Sequence, residues 1–306
     1  MSPGGAIQGA GRYAPSPSGD LHLGNLRTAI LAWALARRTG RAFRLRIEDL
    51  DRVRPGAAER QLEDLAAIGL DWDGPVVLQS EREAAHDAAI ARLTDLGLVY
   101  ECFCTRREIL EAPSAPHAPP GAYPGTCRDL DDAARERGRA RMRELRREPA
   151  LRLRAEAHEW TVQDVFAGEV TAAVDDLVLR RGDGVVAYNL AVVVDDAAVG
   201  VDQVARADDL LTSAPRQAHL AHLLGLPEPV YAHVPLAVSP SGARLAKRDG
   251  AVTLRDRLER GETAADVVER IGASLGIAGC RSARDVLERW EPQTLPREPW
   301  IVDLPA

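Results

Sequence analysis

The sequence predicts an α/β protein with a Rossmann-type parallel sheet, an inserted cysteine-containing subdomain and a short helical C-terminal part. Strand and helix signals alternate over the first hundred residues, stop between Tyr100 and Tyr188, and then resume. Strand–helix–strand order implies parallel strands, and such sheets bind ligands at the carboxyl ends of their strands. We therefore expect a nucleotide-binding domain that is interrupted by an insertion.

The first half of this domain has the clearest elements. A strand is predicted to end at Arg12 to Ala14, before a turn rich in Pro, Ser and Gly. Apolar residues then repeat at helical spacing from Leu23, and Gly40 is a natural stop. Residues 43–47 alternate as a strand, and Pro55 to Gly69 has the pattern of a second helix.

The later elements are predicted in the same way. Leu177 to Leu179 and Val185 to Ala187 flank a Gly-rich turn as a hairpin, and Ala191 to Val194 is predicted as a buried strand. Ala214 to Leu224 should form a helix that Gly225 ends. The expected division is residues 1–99 for the first half of the sheet domain, 100–187 for the insertion, 188–250 for the second half and 251–306 for the helical C-terminal part.

Composition excludes some classes of protein. The chain has 306 residues, is 45% hydrophobic and carries a net charge of −7, which argues against binding nucleic acid over its whole surface. The apolar stretch Ala187 to Ala198 is broken by polar residues, so no transmembrane helix and no membrane partner are expected. The N-terminal residues lack the basic start and apolar run of a secretory signal, which predicts a cytoplasmic protein.

Two features of the basic residues stand out. Arginines are dense between Arg135 and Arg154, as on a solvated helix face or a contact with the RNA backbone. Lysine, in contrast, occurs once, at Lys247. Because Arg and Lys present their charge differently, this suggests that a compact ammonium group is needed there.

Three of the four cysteines are close together, at Cys102, Cys104 and Cys127. In a cytoplasmic chain this clustering favours a metal over disulfides, and three thiolates suit tetrahedral zinc. The fourth ligand could be His117 or Tyr123, and zinc chemistry alone favours the histidine. The alternative is a group of buried free cysteines.

Two places have the chemistry of phosphate binding. His22-Leu-Gly-Asn25 begins the first long helix, where backbone N–H groups and the helix dipole favour phosphate and where Gly24 would let a nucleotide approach. A histidine at this position is also a common cap or surface residue. Ser239 to Arg248 is a Gly/Ser loop that carries the sole lysine and could cover a transferring phosphoryl group.

These segments resemble the class I aminoacyl-tRNA synthetases, whose motifs are written HIGH and KMSKS. His22-Leu-Gly-Asn25 and Arg244-Leu-Ala-Lys-Arg248 match them with departures at Asn25, Arg244, Ala246 and Arg248. Longer stretches, Arg12 to Gly19 and Leu45 to Asp51, resemble the glutamyl branch of that family. The resemblance runs from Arg12 to Leu254 and implies a class I synthetase catalytic domain.

Within this branch the chain resembles the short members that attach glutamate to queuosine in the tRNA(Asp) anticodon. Only 59 of the 306 residues follow Lys247, too few for a large anticodon-binding region. The resemblance implies glutamate, ATP and the tRNA(Asp) anticodon stem-loop as partners, tRNA-independent formation of glutamyl-adenylate, and a monomer. It also implies one Zn²⁺ per chain with Tyr123 rather than His117 as a ligand, and Mg²⁺ with ATP.

The resemblance further assigns site residues, in agreement with the chemistry of the ligands. A carboxylate suits the α-ammonium of glutamate, and a guanidinium suits its side-chain carboxylate, with Arg12 and Arg206 as the candidates. His22 and Lys247 are implied to stabilise phosphate charge during catalysis. The implied sets are Arg12, Tyr13, Ala14, Pro15, Ser16, Glu48, Tyr188 and Arg206 for glutamate, His22, Gly24, Asn25 and Lys247 for ATP, and Cys102, Cys104, Tyr123 and Cys127 for zinc.

Three alternatives remain. A conventional glutamyl-tRNA synthetase that charges tRNA(Glu) is disfavoured by the short C-terminal part. A non-catalytic regulator that binds glutamate or ATP is compatible with the departures around Lys247. A zinc-dependent RNA-binding module would need only the cysteines and the arginine-rich stretch.

Overall fold

The computed structural model describes residues 9–111, 123–245 and 253–302. The strands in these ranges are β1 (Ala10–Tyr13), β2 (Ala42–Ile47), β3 (Val77–Leu78), β4 (Val99–Cys102), β5 (Ala150–Leu153), β6 (Glu159–Asp164), β7 (Gly168–Ala173), β8 (Val178–Arg180), β9 (Val201–Ala207), β10 (Val230–Val234), β11 (Ala237–Val238) and β12 (Trp300–Ile301). The α-helices are α1 (Leu23–Arg38), α2 (Ala57–Ala67), α3 (Glu83–Asp95), α4 (Arg106–Glu111), α5 (Asp132–Glu144), α6 (Tyr188–Ala198), α7 (Ala214–Leu223), α8 (Leu254–Glu259), α9 (Ala264–Ser274) and α10 (Ala283–Arg289).

A seven-stranded sheet forms the centre, in the order β3-β2-β1-β9-β10-β6-β7. All neighbours are parallel except β6 and β7, which pair as an antiparallel hairpin at one edge. The strand order reverses between β1 and β9. From β1 the chain continues outwards to β2 and β3, and from β9 it continues in the opposite direction to β10. The carboxyl ends of strands at such a switch point form a crevice that binds ligands. The predicted α/β parallel-sheet class is confirmed.

Helix α1 lies at the centre of the main core, and its residues from Leu23 to Ala36 are almost all buried. One side packs on the sheet, against Tyr13 and Leu45, and the other side meets the C-terminal helices through Val267 and Trp290. A helix with apolar residues on nearly every side needs to be enclosed in this way, because those residues would otherwise face water. The predicted elements around it, β2 and α2, occur where the pattern placed them.

The segment 100–187 contributes to two sheets. Strands β4, β5 and β8 form a separate antiparallel sheet, while β6 and β7 extend the main sheet beside β10. The predicted hairpin after Leu177 is confirmed in outline, because Arg180 and Val186 pair antiparallel across the turn. This hairpin therefore leads back towards the carboxyl edge of the main sheet.

The predicted buried strand at Ala191 to Val194 is wrong, because these residues lie in helix α6. A short apolar run fits a buried strand and a buried helix equally well, and periodicity alone does not separate them. The two acidic residues after the run decide the outcome. In α6 both Asp195 and Asp196 are buried and bonded to polar partners, an arrangement that the sequence does not reveal.

The C-terminal part is helical, as predicted. Each of the three α-helices described between residues 253 and 302 begins with a capping box, in which a Thr or Ser side chain and an Asp three residues later bond each other's backbone N–H groups. The pairs are Thr253 and Asp256, Thr263 and Asp266, and Ser282 and Asp285. Throughout the ranges that the structure describes, the helices are too short or too polar to traverse a bilayer.

Candidate active site

A cavity of about 780 Å³ opens at the carboxyl ends of β1, β2 and β9. Its wall includes most of the residues that the sequence predicts for glutamate and ATP. They are Arg12, Tyr13, Ala14, Pro15, Ser16, His22, Asn25, Glu48, Tyr188 and Arg206. Residues that are up to two hundred positions apart in the chain are thus brought to one crevice by the strand order.

Helix α2 holds the loop that follows β1 through hydrogen bonds from one side chain. The side-chain amide of Gln61 donates to the carbonyl oxygens of Ser16 at 3.0 Å and Gly19 at 2.6 Å. The backbone N–H of Glu48 donates to the carbonyl of Pro15, which ties the loop to the end of β2. Because Gln61 is fully buried, its two bonds hold a polar loop that has no regular structure of its own.

Glu48 presents its carboxylate to the cavity from a side chain that is 11% exposed. Arg46 lies beside it at 3.3 Å but bonds more closely to Asp196, at 2.5 Å. Asp196 also lies 3.4 Å from Nε of Arg12, so this one carboxylate is shared by two guanidinium groups. Burial raises the pKa of Glu48 above its ordinary value, although the positive charges of Arg46 and Arg12 act in the opposite direction.

Arg206 is a buried guanidinium without a carboxylate partner in the described part of the chain. Its Nε donates to Nε2 of His233 at 2.9 Å, and its terminal nitrogens donate to Gln217 at 2.7 Å and to the carbonyl of Leu210 at 3.3 Å. All these acceptors are neutral if His233 is neutral, and burial lowers the pKa of Arg206. A buried cation in this state is costly until an anion joins it.

Tyr188 stands at the start of α6, at the mouth of the cavity. It is 41% exposed, so it is a surface residue of the site and does not belong to the core. Burial of its hydroxyl, and then the negative charge of Glu48, raise the pKa of Tyr188. The group is therefore a neutral phenol that lies within electrostatic reach of Glu48 and Arg206.

His22 is both a cavity residue and the N-cap of α1. Its Nδ1 accepts the backbone N–H of Asn25 at 3.1 Å, and Oδ1 of Asn25 accepts the backbone N–H of His22 at 3.2 Å. Burial lowers the pKa of His22 to about 4. The imidazole is thus neutral near pH 7, with its proton on Nε2, and it can donate a hydrogen bond without carrying charge.

The remaining predicted ATP residues differ in their placement. A side chain at Gly24 would meet Cβ of Ala237 at 2.8 Å and the ring of His22 at 3.1 Å, so in the described structure Gly24 serves close packing. Lys247 lies outside the described residues. The ends of its loop border the cavity, because Arg244 forms an ion pair with Asp209 and Thr253 pairs with the backbone of His22.

A second cluster gathers three cysteines and a tyrosine near the end of β4. The sulfurs of Cys102, Cys104 and Cys127 lie within 4.8 Å of one another, with Cys104 and Cys127 3.6 Å apart. The hydroxyl oxygen of Tyr123 lies 3.4 Å from the sulfur of Cys102 and 3.9 Å from that of Cys104. Sulfurs bound to one tetrahedral zinc at about 2.3 Å stand about 3.8 Å apart, so the donors present fit such an ion.

Neighbouring groups contact the tyrosine and the cysteines of this cluster closely. The guanidinium of Arg152 lies 3.7 Å from the centre of the Tyr123 ring, and the backbone N–H of Cys127 donates to the Tyr123 hydroxyl at 2.8 Å. Helix α5 packs against the cluster through Gly138, where any side chain would collide with the ring of Phe103. His117, the other candidate ligand, lies outside the described residues.

The arginines between Arg135 and Arg154 have different surroundings in the structure. Most arginines on α5 pair with nearby acids, as Arg139 does with Glu101 and Arg141 with Glu108. Arg152 is buried in β5 against Tyr123, away from the helix face. A contact between the exposed arginines and RNA stays a prediction.

Sequence reasoning missed the residues that support the site. Gln61 holds the loop after β1, Asp196 pairs with both Arg12 and Arg46, and His233 with Gln217 fixes Arg206. Each is a polar residue less than a tenth exposed. A polar residue at an apolar position of a strand or helix is the signal that could have found them.

Comparison with known proteins places the chain in a family. The matching family model is described as tRNA synthetases class I (E and Q), catalytic domain, and it covers residues 10–281. A protein of Nocardia farcinica named glutamyl-Q tRNA(Asp) synthetase is 63% identical over 97% of this chain and 94% of its own length. A protein of Cutibacterium acnes with the same name is 52% identical over 89% of this chain and 78% of its own length.

Solved structures agree on the fold. A glutamate tRNA ligase from Elizabethkingia meningosepticum, solved with its amino acid, aligns with a TM-score of 0.77 at 24% identity, over 94% of this chain and 66% of that ligase. The glutamate-tRNA synthetase of Elizabethkingia anophelis aligns with a TM-score of 0.79 at 23% identity, over 97% and 68%. The resemblance read from the sequence is confirmed, and the chain belongs to the class I (E and Q) tRNA synthetase family and is an aminoacyl-tRNA synthetase, a ligase.

Proposed function

We propose that the enzyme joins glutamate to ATP as glutamyl-adenylate without tRNA and transfers the glutamyl group to queuosine in the tRNA(Asp) anticodon. The single observation that carries the first half is Arg206, a buried cation facing the cavity without a carboxylate partner in the described residues. The names of the relatives at 63% and 52% identity support the second half.

Glutamate recognition follows from the charges of the cavity. Arg206 has two N–H donors left after its three protein bonds, one on each terminal nitrogen, and these suit the two oxygens of a carboxylate. Arg12, the other candidate, is already beside Asp196 and donates to the carbonyl of Ala205. We therefore assign the side-chain carboxylate of glutamate to Arg206 and its α-ammonium to Glu48.

Activation is an in-line displacement at phosphorus. An oxygen of the glutamate α-carboxylate forms a bond to the α-phosphorus of ATP, and the bond from that phosphorus to the bridging oxygen breaks, releasing pyrophosphate. His22 donates its Nε2–H to phosphate oxygens as a neutral group, and Lys247 supplies positive charge from its loop. Mg²⁺ that accompanies the nucleotide would neutralise part of the phosphate charge, and no protein ligand for it is assigned.

Transfer then uses the adenylate as the acylating agent. A hydroxyl oxygen of the queuosine cyclopentenediol bonds to the acyl carbon, and the bond from that carbon to the phosphate oxygen breaks. An ester and AMP are formed, and the hydroxyl proton passes to the AMP phosphate or to solvent. No covalent bond to the enzyme is needed. Flexible anticodon bases can be splayed into a pocket, so a stem-loop suffices to bring this hydroxyl to the cavity.

The cysteine cluster is proposed as a structural zinc site with Cys102, Cys104, Tyr123 and Cys127 as ligands. Zinc bound by four protein groups supplies folding free energy rather than chemistry. Here it would join the end of β4 to the segment that contains Tyr123 and Cys127, on which α5 packs. We further propose that residues 1–99 and 188–250 form the catalytic domain, around the insertion 100–187.

A substitution at Arg206 tests the glutamate site. In glutamate-dependent pyrophosphate exchange without tRNA, Arg206→Gln should raise the KM for glutamate at least about thirtyfold, because about 2 kcal/mol or more is lost when one member of a buried charge pair is removed. Arg38→Gln, on the far end of α1, is the matched control and should behave as the wild type. A wild-type KM in Arg206→Gln would remove this assignment.

A further inference from the structure

Behind Arg206 lies a buried pair, Asp164 and His233. Neither is among the described residues that line the cavity, and His233 is joined to the cavity wall through the arginine. Oδ2 of Asp164 lies 2.7 Å from Nδ1 of His233, and Nε2 of His233 accepts the Nε–H of Arg206 at 2.9 Å. All three side chains are at most 6% exposed. Asp164 is the last residue of β6, so this chain of contacts starts in the segment 100–187 and ends at the cavity wall.

The positions of the protons in the hydrogen bonds between Asp164, His233 and Arg206 follow from the donor and acceptor groups. Arginine only donates, so Nε2 of His233 must carry a lone pair rather than a proton. The remaining ring proton is then on Nδ1 and is donated to Asp164. His233 is thus held as one neutral tautomer, and burial lowers its pKa in agreement with this.

Asp164 is suited to hold that tautomer because both of its oxygens only accept. Oδ1 accepts the backbone N–H groups of Phe166 and Ala167, both at 2.8 Å. Oδ2 accepts the backbone N–H of His233 at 3.0 Å as well as its ring proton. Burial alone would raise the pKa of Asp164, but these bonds lower it below the ordinary value. Four N–H groups donate to the carboxylate of Asp164. The side-chain amide of an asparagine could not accept all four, because its nitrogen only donates.

We infer that His233, locked by Asp164, is a positioning residue that sets the orientation of the Arg206 guanidinium for glutamate. The lone pair on Nε2 of His233 accepts the Nε–H of Arg206. This hydrogen bond fixes the guanidinium so that its two terminal nitrogens face the cavity. Gln217 completes the arrangement from α7, since its Oε1 accepts from Arg206 while its amide donates to Asn189. The inference rests on the proposed glutamate site and adds the residues that orient it.

Two substitutions of His233 separate orientation from structure. In His233→Gln, the amide oxygen can replace Nε2 as the acceptor for Arg206, while the bond to Asp164 is lost. In His233→Asn, the shorter amide can keep the bond to Asp164 but does not reach Arg206. Both replace the ring by a smaller neutral amide, so they form a matched pair whose folding is compared by Tm.

Pyrophosphate exchange with varied glutamate and varied ATP gives the readout. His233→Asn should raise the KM for glutamate about tenfold, the size of one hydrogen bond to a charged group, and leave the KM for ATP unchanged. His233→Gln should stay within about threefold of the wild type. Asp164→Asn should resemble His233→Asn, because its amide group favours the tautomer that places a proton on Nε2.

The outcomes distinguish this inference from the proposed function. If the wild type shows no glutamate-dependent exchange, the proposed function fails. If the wild type is active but both amide variants share one KM for glutamate, or if the KM values for glutamate and ATP rise together, the positioning role of His233 is overturned and the pair is structural.

Discussion

Nδ1 of His22 accepts the backbone N–H of Asn25 at 3.1 Å, so the cap of helix α1 and the predicted phosphate ligand are the same imidazole. The cap leaves only Nε2 to face a ligand, and it does so with a proton attached. Asn25, a departure from the family motif, completes the cap from the other side through its Oδ1.

The two roles of His22 can be separated by mutation. Asparagine is also a good N-cap, so His22→Asn should keep a Tm near the wild-type value while adenylate formation falls about a hundredfold through loss of one donor. His22→Ala should lose the activity and also about 1 kcal/mol of stability. Single-turnover adenylation together with thermal unfolding measures both. Full activity in His22→Asn would remove the phosphate role.

The same geometry predicts a pH response. The pKa of His22 is about 4 when folded, against an ordinary value of 6.5. Between these values the unfolded chain binds more protons, so this contribution to stability is fully present above pH 6.5 and is lost as the pH falls towards 4. Nitrogen NMR of the histidine rings should show Nδ1 of His22 unprotonated and unchanged from pH 8 to 5.5. A ring that becomes doubly protonated near pH 6 would contradict this prediction.

Zinc is expected at one ion per chain. The donors of Cys102, Cys104, Tyr123 and Cys127 stand at separations that suit a tetrahedral ion. Metal analysis should find one zinc in the wild type and in Cys280→Ala, whose cysteine is buried among the C-terminal helices. Cys104→Ser should lose most of the metal, and Tyr123→Phe should weaken its binding. Metal-free wild-type protein, or full retention by Cys104→Ser with unchanged folding, would remove the site.

Lys247 is the only lysine in the chain, which permits a chemical as well as a genetic test. Lys247→Ala should lower the rate of adenylate formation far more than it changes glutamate affinity, because the charge acts mainly in the transition state, and Lys247→Arg should recover only part. Acetylation of lysine should inactivate the wild type, and ATP should protect it. The same rate of exchange in Lys247→Ala and wild type would show that the loop has another role.

The sequence predicted local features better than long-range ones. The elements α1, β2 and α2 follow from periodicity and turn residues, and the family resemblance supplies the residues that are proposed to bind glutamate. The partners of Arg206 do not, because His233 follows it by 27 residues while Asp164, the partner of His233, precedes His233 by 69 residues. Such contacts depend on strand order. Helix α6 was mistaken for a strand for a related reason, since only the fold reveals that Asp195 and Asp196 are buried.

The acceptor is the central claim. Since the proposed acceptor is queuosine in the anticodon loop, a small RNA element is expected to provide both recognition and the attacking hydroxyl. The most direct measurement incubates the enzyme, ATP and labelled glutamate with the isolated anticodon stem-loop of tRNA(Asp), with and without queuosine, and with intact tRNA(Glu). We predict that the queuosine stem-loop is glutamylated at a rate near that of whole tRNA(Asp), while the stem-loop without queuosine and tRNA(Glu) stay unlabelled. Labelling of the 3′ end of tRNA(Glu), with no reaction of the stem-loop, would contradict this account and establish a conventional glutamyl-tRNA synthetase.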